Sequence, residues 1–407
     1  MRNKFLSFDW HSAVLCTLIS GMFLSFVLET FFVQTLILWL LGGFAIYTGI
    51  RTRKFYFQWY SVFFLAMFLM RILALWRQPE LKFSNIELSL SFVLFPLIFS
   101  LIKVDAKQWK IIQKCVVVGF ALFLLIILHA YIVNIYQQGL FRASLENAKQ
   151  HYNLFLKSPF YFHPSYLAII LMPSIPMCFN LATSSSKQWQ QWLWLSFVLL
   201  LIFIIFVIGS RIGLLVGAGL IVLCSIYFFK KLNIAPKIAL VLIFFVALRA
   251  FSLTTIDYTN DPIRKEMSHF SIEKIKERPF LGYGYNTQLE HVRQLDESSG
   301  YSILPYIDDG TRAHFHNQYL EETFQFGLIG ALPFFLLLLY LLYFGVKKQD
   351  IYILSFLVIY LLFFCTDTAD TRVNGIMPMM LLIALIMNVS DKQTNPVISQ
   401  NGSTEKI

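Results

Sequence analysis

The chain of 407 residues is 57% hydrophobic, 17% aromatic and only 14% charged, whereas a soluble globular domain carries about 25% charged residues. Together with a mean hydropathy of +0.64, this balance excludes an ordinary soluble domain and predicts a polytopic membrane protein. The net charge of +10 does not indicate nucleic-acid binding, because the basic residues are scattered between apolar runs, as in membrane-protein loops.

Apolar runs long enough to cross a bilayer recur along the chain. A hydrocarbon core about 30 Å thick needs about 20 helical residues, each rising about 1.5 Å. We therefore predict an all-α polytopic membrane protein with about twelve transmembrane helices. The runs lie near residues 12–28, 31–50, 55–76, 86–103, 111–135, 160–183, 191–208, 211–229, 234–253, 323–346, 350–366 and 373–390.

The distribution of basic residues predicts the orientation of these helices. Lysines and arginines cluster in alternate connections, for example at 51–54, 103–114, 230–237 and 347–348. The positive-inside rule puts such connections in the cytoplasm, together with both termini. The basic N-terminus precedes an apolar run without an obvious cleavage site, so we expect this run to be a retained membrane anchor.

The long polar segments predict the domain organisation. A membrane bundle of about nine helices is expected over 1–253. One large structured periplasmic loop follows over 254–322, then further membrane helices over 323–390 and a cytoplasmic tail over 391–407. A connection as long as the periplasmic loop is expected to be functional or to have structure of its own.

Arg211 lies in the sequence IGSRIG, between two strongly apolar runs. An arginine at a membrane boundary is costly unless it reaches the headgroups or meets an anion. Both interpretations, snorkelling and anion binding, fit the residue alone.

The segment DPIRKEMSHFSIEKIKERPFLGYGYN has apolar residues at near-helical spacing. It predicts an amphipathic helix from about Pro262 to Glu277, ended by Pro279 and a turn at Gly282 and Gly284; the expected apolar face comprises Ile263, Met267, Phe270, Ile272 and Ile275. Arg264 falls in the first turn, where a cation opposes the helix macrodipole. It is either an ordinary surface arginine or a residue that faces a ligand or carboxylate.

The sequence HFHNQYLEETFQFGLIG, from His314 to Gly330, is a polar-to-apolar junction. His316 and Asn317 precede the helix that enters the membrane. A neutral imidazole can accept a proton from a hydroxyl near neutral pH, so His316 is a candidate general base. Glu321 and Glu322 are explained by the helix dipole without a catalytic role.

The cysteine and histidine spacings do not predict a metal site. All five cysteines lie inside apolar runs without paired spacing, which is typical of small buried hydrophobes. His314 stands two residues before His316, with Asp308 and Asp309 nearby, but this pattern fits a solvated loop equally well. We expect neither a metal nor a cofactor.

Three of these segments form a set in a fixed order. The run HNQYLEETFQFGLIG combines His-Asn, a leucine, glutamate and Gly-Leu-Ile-Gly; the segment from Arg264 to FLGYG combines an arginine, an amphipathic helix and Pro-x-x-Gly-x-Gly; and SRIGLL carries a Ser-Arg pair. The set resembles the O-antigen ligase and polymerase superfamily of bacterial membrane glycosyltransferases. The resemblance covers about residues 200–345.

The resemblance implies metal-independent transfer of a glycan from undecaprenyl diphosphate to an acceptor hydroxyl on the periplasmic side. By position, Arg211 and Arg264 would bind the diphosphate, and His316 would act as general base. His314, Arg312, Asn317 and His163 would be neighbouring partners around the site, while Asp367, Asp370 and Arg372 would form an ion pair or contact the acceptor. The implied partners are the lipid-linked glycan donor, a lipid A-core or other glycan acceptor, and membrane lipids, with no nucleic acid.

Several functions remain open at this point. O-antigen ligation to lipid A-core is the expected reaction, and O-antigen polymerisation or protein O-glycosylation by the same chemistry are the alternatives. A lipid-linked glycan transporter could also place arginines in an outer cavity. Transporters often have similar halves with broken helices, and no such pairing is visible in this sequence.

Overall fold

A computed structural model describes residues 9–28, 30–77, 87, 89–137, 163–208, 210–228, 262–285, 287–299, 314–369 and 373–390. Throughout these ranges the regular secondary structure is helical, which confirms the all-α prediction. The helices are α1 Trp10–Val27, α2 Phe31–Thr52, α3 Tyr60–Arg77, α4 Ser91–Leu101, α5 Ala106–Gln137, α6 Pro164–Leu171, α7 Ser174–Thr183, α8 Gln188–Val207, α9 Arg211–Phe228, α10 Pro262–Glu277, α11 Gln288–Ser299, α12 Gln318–Lys348, α13 Ile351–Phe364 and α14 Val373–Ser390.

Seven helical stretches in the described ranges are long and apolar enough to cross a membrane, with α6 and α7 together counted as one. Four further helices, α3, α4, α13 and α14, contain apolar stretches that are shorter than those of the seven candidate spans. The predicted run at 234–253 lies outside the described residues, so the total of about twelve spans stays a prediction. The run predicted at 160–183 is interrupted at Met172 and Pro173, because Pro173 has no N–H group to donate to the carbonyl of the preceding turn.

The bundle packs around α14 and the α6–α7 pair, whose described side chains are almost all buried. Helices on the outside present large apolar side chains instead, such as Trp39 of α2 and Phe206 of α8. This arrangement, apolar on both the inside and the outside, is the one expected when lipid is the solvent. The bundle therefore agrees with a multi-pass membrane protein.

Helix α12 is broken at Gly327, whose φ of 65° and ψ of −177° are not helical. The break frees backbone groups, and the segment 279–284 satisfies them. Its Tyr283 and Gly284 N–H groups donate to carbonyls before the break, at 2.9 and 2.8 Å. Two N–H groups after the break donate to carbonyls of the same segment, at 2.7 and 3.3 Å.

We call the hydrogen-bonded contact between the break in α12 and segment 279–284 the interlock. It requires glycine in both segments. Gly282 and Gly327 both have positive φ, and a Cβ on either one would overlap backbone atoms of the other segment. Gly330, one turn later, faces α3, where a Cβ would lie 2.8 Å from the Cε of Met70. The glycines of the two predicted motifs thus hold the two segments in direct backbone contact.

Helix α10 has the predicted bounds, Pro262–Glu277. Met267 packs with Val292 of α11 and with Phe315 and Phe324 beside the first half of α12. Ile272, which was expected on the apolar face, is instead 43% exposed. The helical spacing therefore identified the helix correctly but wrongly placed Ile272 in its buried face.

Candidate functional site

The carboxylate of Asp367 lies between two histidines at one end of the bundle. Nδ1 of His316 is 3.7 Å from Oδ1, and Nδ1 of His163 is 3.9 Å from Oδ2. Both distances exceed a hydrogen bond but are within range of an ion pair when the imidazole is protonated. Three segments far apart in the sequence, at the start of α6, the start of α12 and the end of α13, thus meet at one carboxylate.

The pKa of Asp367 is lowered from its ordinary value. Burial alone would raise this pKa, since the residue is 5% exposed. The neighbouring His316 and His163 and the Thr368 backbone N–H outweigh the burial. The carboxyl group is therefore ionised at neutral pH and can interact with a positive imidazolium.

The loop after α13 is fixed by backbone hydrogen bonds on several sides. The Thr368 N–H donates to Oδ1 of Asp367 at 2.9 Å, and the Tyr166 hydroxyl of α6 donates to the Thr368 carbonyl. The Ala369 N–H donates to the side chain of Gln318 at 2.8 Å. Asp367 is therefore presented by a well-anchored backbone.

His316 has a left-handed backbone conformation, with φ of 51°. This region is uncommon for residues other than glycine, and such strain is found preferentially at functional sites. Asn317 follows as the N-cap of α12, its Oδ1 accepting from the Leu320 N–H at 3.1 Å. The His316 side chain is 27% exposed, so it can be reached from outside the bundle.

The two predicted arginines lie at the same end of the bundle. Nη1 of Arg264 donates to the Thr366 carbonyl at 3.5 Å, directly before Asp367. Arg211 is the first residue of α9, which packs closely on the start of α6: a Cβ on Gly213 would lie 2.7 Å from that of Ala168. Arg264 therefore contacts the loop that carries Asp367 directly. Arg211 is connected to that loop through the packing of α9 on α6.

His314 contacts a different carboxylate. Its Nδ1 lies 3.9 Å from Oε1 of the fully buried Glu321. Glu321 also accepts from the side chains of Gln288 and Gln325 and from the Phe315 N–H. Glu321 lies in the first turn of α12, as the dipole interpretation expects, and its side chain also fixes α11 and the 314–316 segment onto α12.

Arg71 and Glu322 form a buried ion pair that the sequence interpretation missed. Nη2 of Arg71 donates to Oε1 of Glu322 at 2.9 Å, and the two side chains are 0% and 2% exposed. The dipole interpretation of Glu322 did not include this partner. A charged residue within an apolar run is itself a sign of function in a membrane protein, and this signal was present at Arg71; its partner, distant in sequence, was not predictable.

Some predicted residues lie outside the described ranges, namely Arg312, Asp308, Asp309, Asp370 and Arg372. Within the described residues, no three or more histidine, cysteine, aspartate or glutamate side chains form a group that could hold a metal ion.

Fold and site together define a multi-pass helical membrane protein with a polar cluster at one end of the bundle. Residues 196–335 match the family model described as O-Antigen ligase, which supports the superfamily resemblance that the motifs predicted. A search of curated proteins finds no match. The superfamily consists of O-antigen ligase- and polymerase-type glycosyltransferases. The matched segment contains Arg211, Arg264 and His316, whereas Asp367 and His163 lie beyond it.

Proposed function

We propose that the protein transfers a glycan from undecaprenyl diphosphate to an acceptor hydroxyl at the periplasmic face of the inner membrane, and that the acceptor is lipid A-core. The acceptor oxygen attacks the anomeric carbon of the donor sugar, and the bond from that carbon to the diphosphate breaks. His316 takes the hydroxyl proton, and undecaprenyl diphosphate leaves with the bonding electron pair. The proton then passes from the imidazole to water.

The contact between His316 and Asp367 is the observation that carries this proposal. A base that takes a proton becomes an imidazolium, and a carboxylate 3.7 Å away stabilises that charge. Since the pKa of Asp367 is lowered, the carboxylate is ionised at the pH of the reaction. Asp367 thus acts through His316 and is a positioning residue.

The arginines account for binding the donor and for stabilising the leaving group. A guanidinium presents paired N–H groups that match phosphate oxygens, and it keeps its charge at any physiological pH. Arg264 is exposed beside Thr366, and Arg211 begins α9 at the same end. Their positive charges would offset the negative charge that develops on the departing diphosphate, a role that needs no metal ion in this proposal.

Gene deletion with complementation tests this function in the cell. We expect the deletion strain to accumulate undecaprenyl-linked polymer and to display bare lipid A-core, and the intact gene to restore the polysaccharide ladder. A gene carrying His316→Ala should restore nothing, because the hydroxyl proton has no acceptor. Gel analysis of lipopolysaccharide together with mass spectrometry of the lipid-linked glycan measures both outcomes.

The same experiment separates the alternatives. Core that carries a single repeat would identify a polymerase, and unchanged lipopolysaccharide would contradict both the ligase and the polymerase assignments. A transporter tolerates loss of the base if its arginines remain, so complementation by His316→Ala would favour transport. Immunoblotting of the membrane fraction checks that the variant is produced and inserted.

A further inference from the structure

A chain of buried polar contacts joins α3 to the loop that carries Asp367. Arg71 donates to Oε1 of Glu322, and the same oxygen accepts from Nε2 of Gln318 at 3.2 Å. Oε1 of Gln318 in turn accepts from the Ala369 N–H at 2.8 Å. The three side chains are at most 2% exposed. The contacts thus run without interruption from the interior of the bundle to the site.

Stability alone is a poor explanation for this ion pair. Three aromatic rings surround the Arg71 guanidinium, those of Phe92, Phe326 and Tyr285 at 4.7, 5.2 and 5.8 Å from Cζ. Removing two charges from water is costly, so replacing a buried ion pair with apolar side chains is often neutral or stabilising. The pair is better explained by the geometry that it imposes on Gln318.

Gln318 and His316 lie at the start of α12, and both contact the short loop after α13. His316 faces Asp367, and Gln318, two residues later, binds the backbone of Ala369, two residues after Asp367. Asn317 lies between them and caps the helix. Loss of the Gln318 amide would therefore release the loop at the point where it presents the carboxylate to the imidazole.

We propose that Gln318, oriented by the Arg71–Glu322 ion pair, is a positioning residue that holds Asp367 beside His316. This inference rests on the proposed function, in which Asp367 acts through His316. Misplacing a group by about 1 Å can cost roughly 100-fold in rate. A polar network buried in the bundle thus sets the geometry of a site at its end.

A double-mutant cycle tests the positioning role. Gln318→Leu keeps the approximate volume and the helix propensity but removes both hydrogen bonds. With purified full-length protein, undecaprenyl diphosphate-linked glycan and lipid A-core, we expect kcat to fall roughly tenfold while KM for the donor is unchanged. In the Asp367→Asn background the same substitution should cause no further loss, because the carboxylate that Gln318 positions is gone.

Gln113 of α5 offers a matched control. It is an equally buried amide that donates to the Tyr352 hydroxyl and accepts from Asn180, away from the Asp367 loop. Gln113→Leu should leave kcat unchanged and should remain fully additive with Asp367→Asn. If Gln318→Leu folds poorly, Arg71→Met combined with Glu322→Leu removes the ion pair without leaving a buried charge, and we expect the same roughly tenfold loss of kcat.

Additive losses from Gln318→Leu and Asp367→Asn would overturn the positioning role and leave the proposed function standing. A raised donor KM with unchanged kcat would do the same, since it would assign Gln318 to binding. If Asp367→Asn itself has wild-type kcat, the role assigned to Asp367 fails and this inference fails with it, whereas a wild type that forms no product would contradict the proposed function.

Discussion

At the residue scale, the neighbours of each histidine determine what it can do. His316 and His163 face an ionised carboxylate at the exposed end of the bundle. His291 of α11 instead packs against the rings of Tyr283 and Phe324, at centroid distances of 4.5 and 5.3 Å. Burial lowers the pKa of His291, and its buried Nδ1 has no hydrogen-bond partner among the described residues. We therefore assign His291 to packing and His316 to proton transfer.

Replacing His291 tests this distinction through the pH dependence of stability. Because its pKa is lower in the folded than in the unfolded protein, the unfolded chain binds more protons as pH falls below about 6.5, and the wild type loses stability there. His291→Phe removes this contribution, so we expect its Tm to fall less than that of the wild type between about pH 7 and pH 5. Thermal unfolding of the detergent-solubilised protein measures the difference.

Transfer activity provides the second readout for His291→Phe. We expect kcat within about twofold of the wild type, because an aromatic ring keeps the contacts with Tyr283 and Phe324. A parallel fall of Tm in the two proteins would refute the assigned pKa effect. Loss of transfer in a well-folded His291→Phe protein would show that His291 takes part in the reaction.

At the element scale, the broken helix α12 is the feature that connects the predicted motifs. His316 and Asn317 lie just before this helix, and Gln318 is its first residue. At the break, the helix backbone forms hydrogen bonds with segment 279–284. Since α10 leads directly into that segment, the interlock also fixes the helix that bears Arg264. The glycines of both motifs therefore position the site without taking part in its chemistry.

Gly327→Ala should destabilise this interlock. The Gly327 φ of 65° and ψ of −177° define an extended region that is essentially restricted to glycine and costs an alanine about 1–3 kcal/mol, and the added methyl group would also overlap the backbone at Phe280. We expect a stability loss of at least about 2 kcal/mol together with loss of transfer, measured by chemical unfolding and by product formation. Gly43→Ala in α2 is the control, because a Cβ there meets no atom within 4 Å. A Gly327→Ala protein as stable as that control would disprove the interlock.

Sequence patterns predicted the elements better than their contacts. Apolar runs and helical spacing predicted the apolar helices that the structure describes and the bounds of α10, since periodicity is a local property. The motifs predicted that Arg211, Arg264 and His316 share one site; the match over 196–335 includes all three, and their roles stay a prediction. Periodicity could not reveal that Asp367 faces His316 or that Arg71 pairs with Glu322, because each of these pairs joins distant segments through tertiary packing.

At the scale of the whole molecule, one end of the bundle gathers the polar groups. Helices α6, α9 and α12 begin there and α13 ends there, which brings His163, Arg211, His316 and Asp367 to the same level. The large apolar side chains on the outside of the other helices are suited to lipid contact. In the proposed function, this end is where the polar diphosphate of the donor and the core sugars of the acceptor would meet, with both lipids held in the membrane.

Reconstituted transfer tests the central claim most directly. The purified full-length protein in lipid nanodiscs receives undecaprenyl diphosphate-linked glycan and lipid A-core, and mass spectrometry follows the glycosylated core and the released undecaprenyl diphosphate. We expect the two products in equal amounts from the wild type and a rate at least about 100-fold lower from His316→Ala, with donor binding retained. Equal rates from the wild type and His316→Ala, or a wild type that binds the donor but forms neither product, would contradict the account.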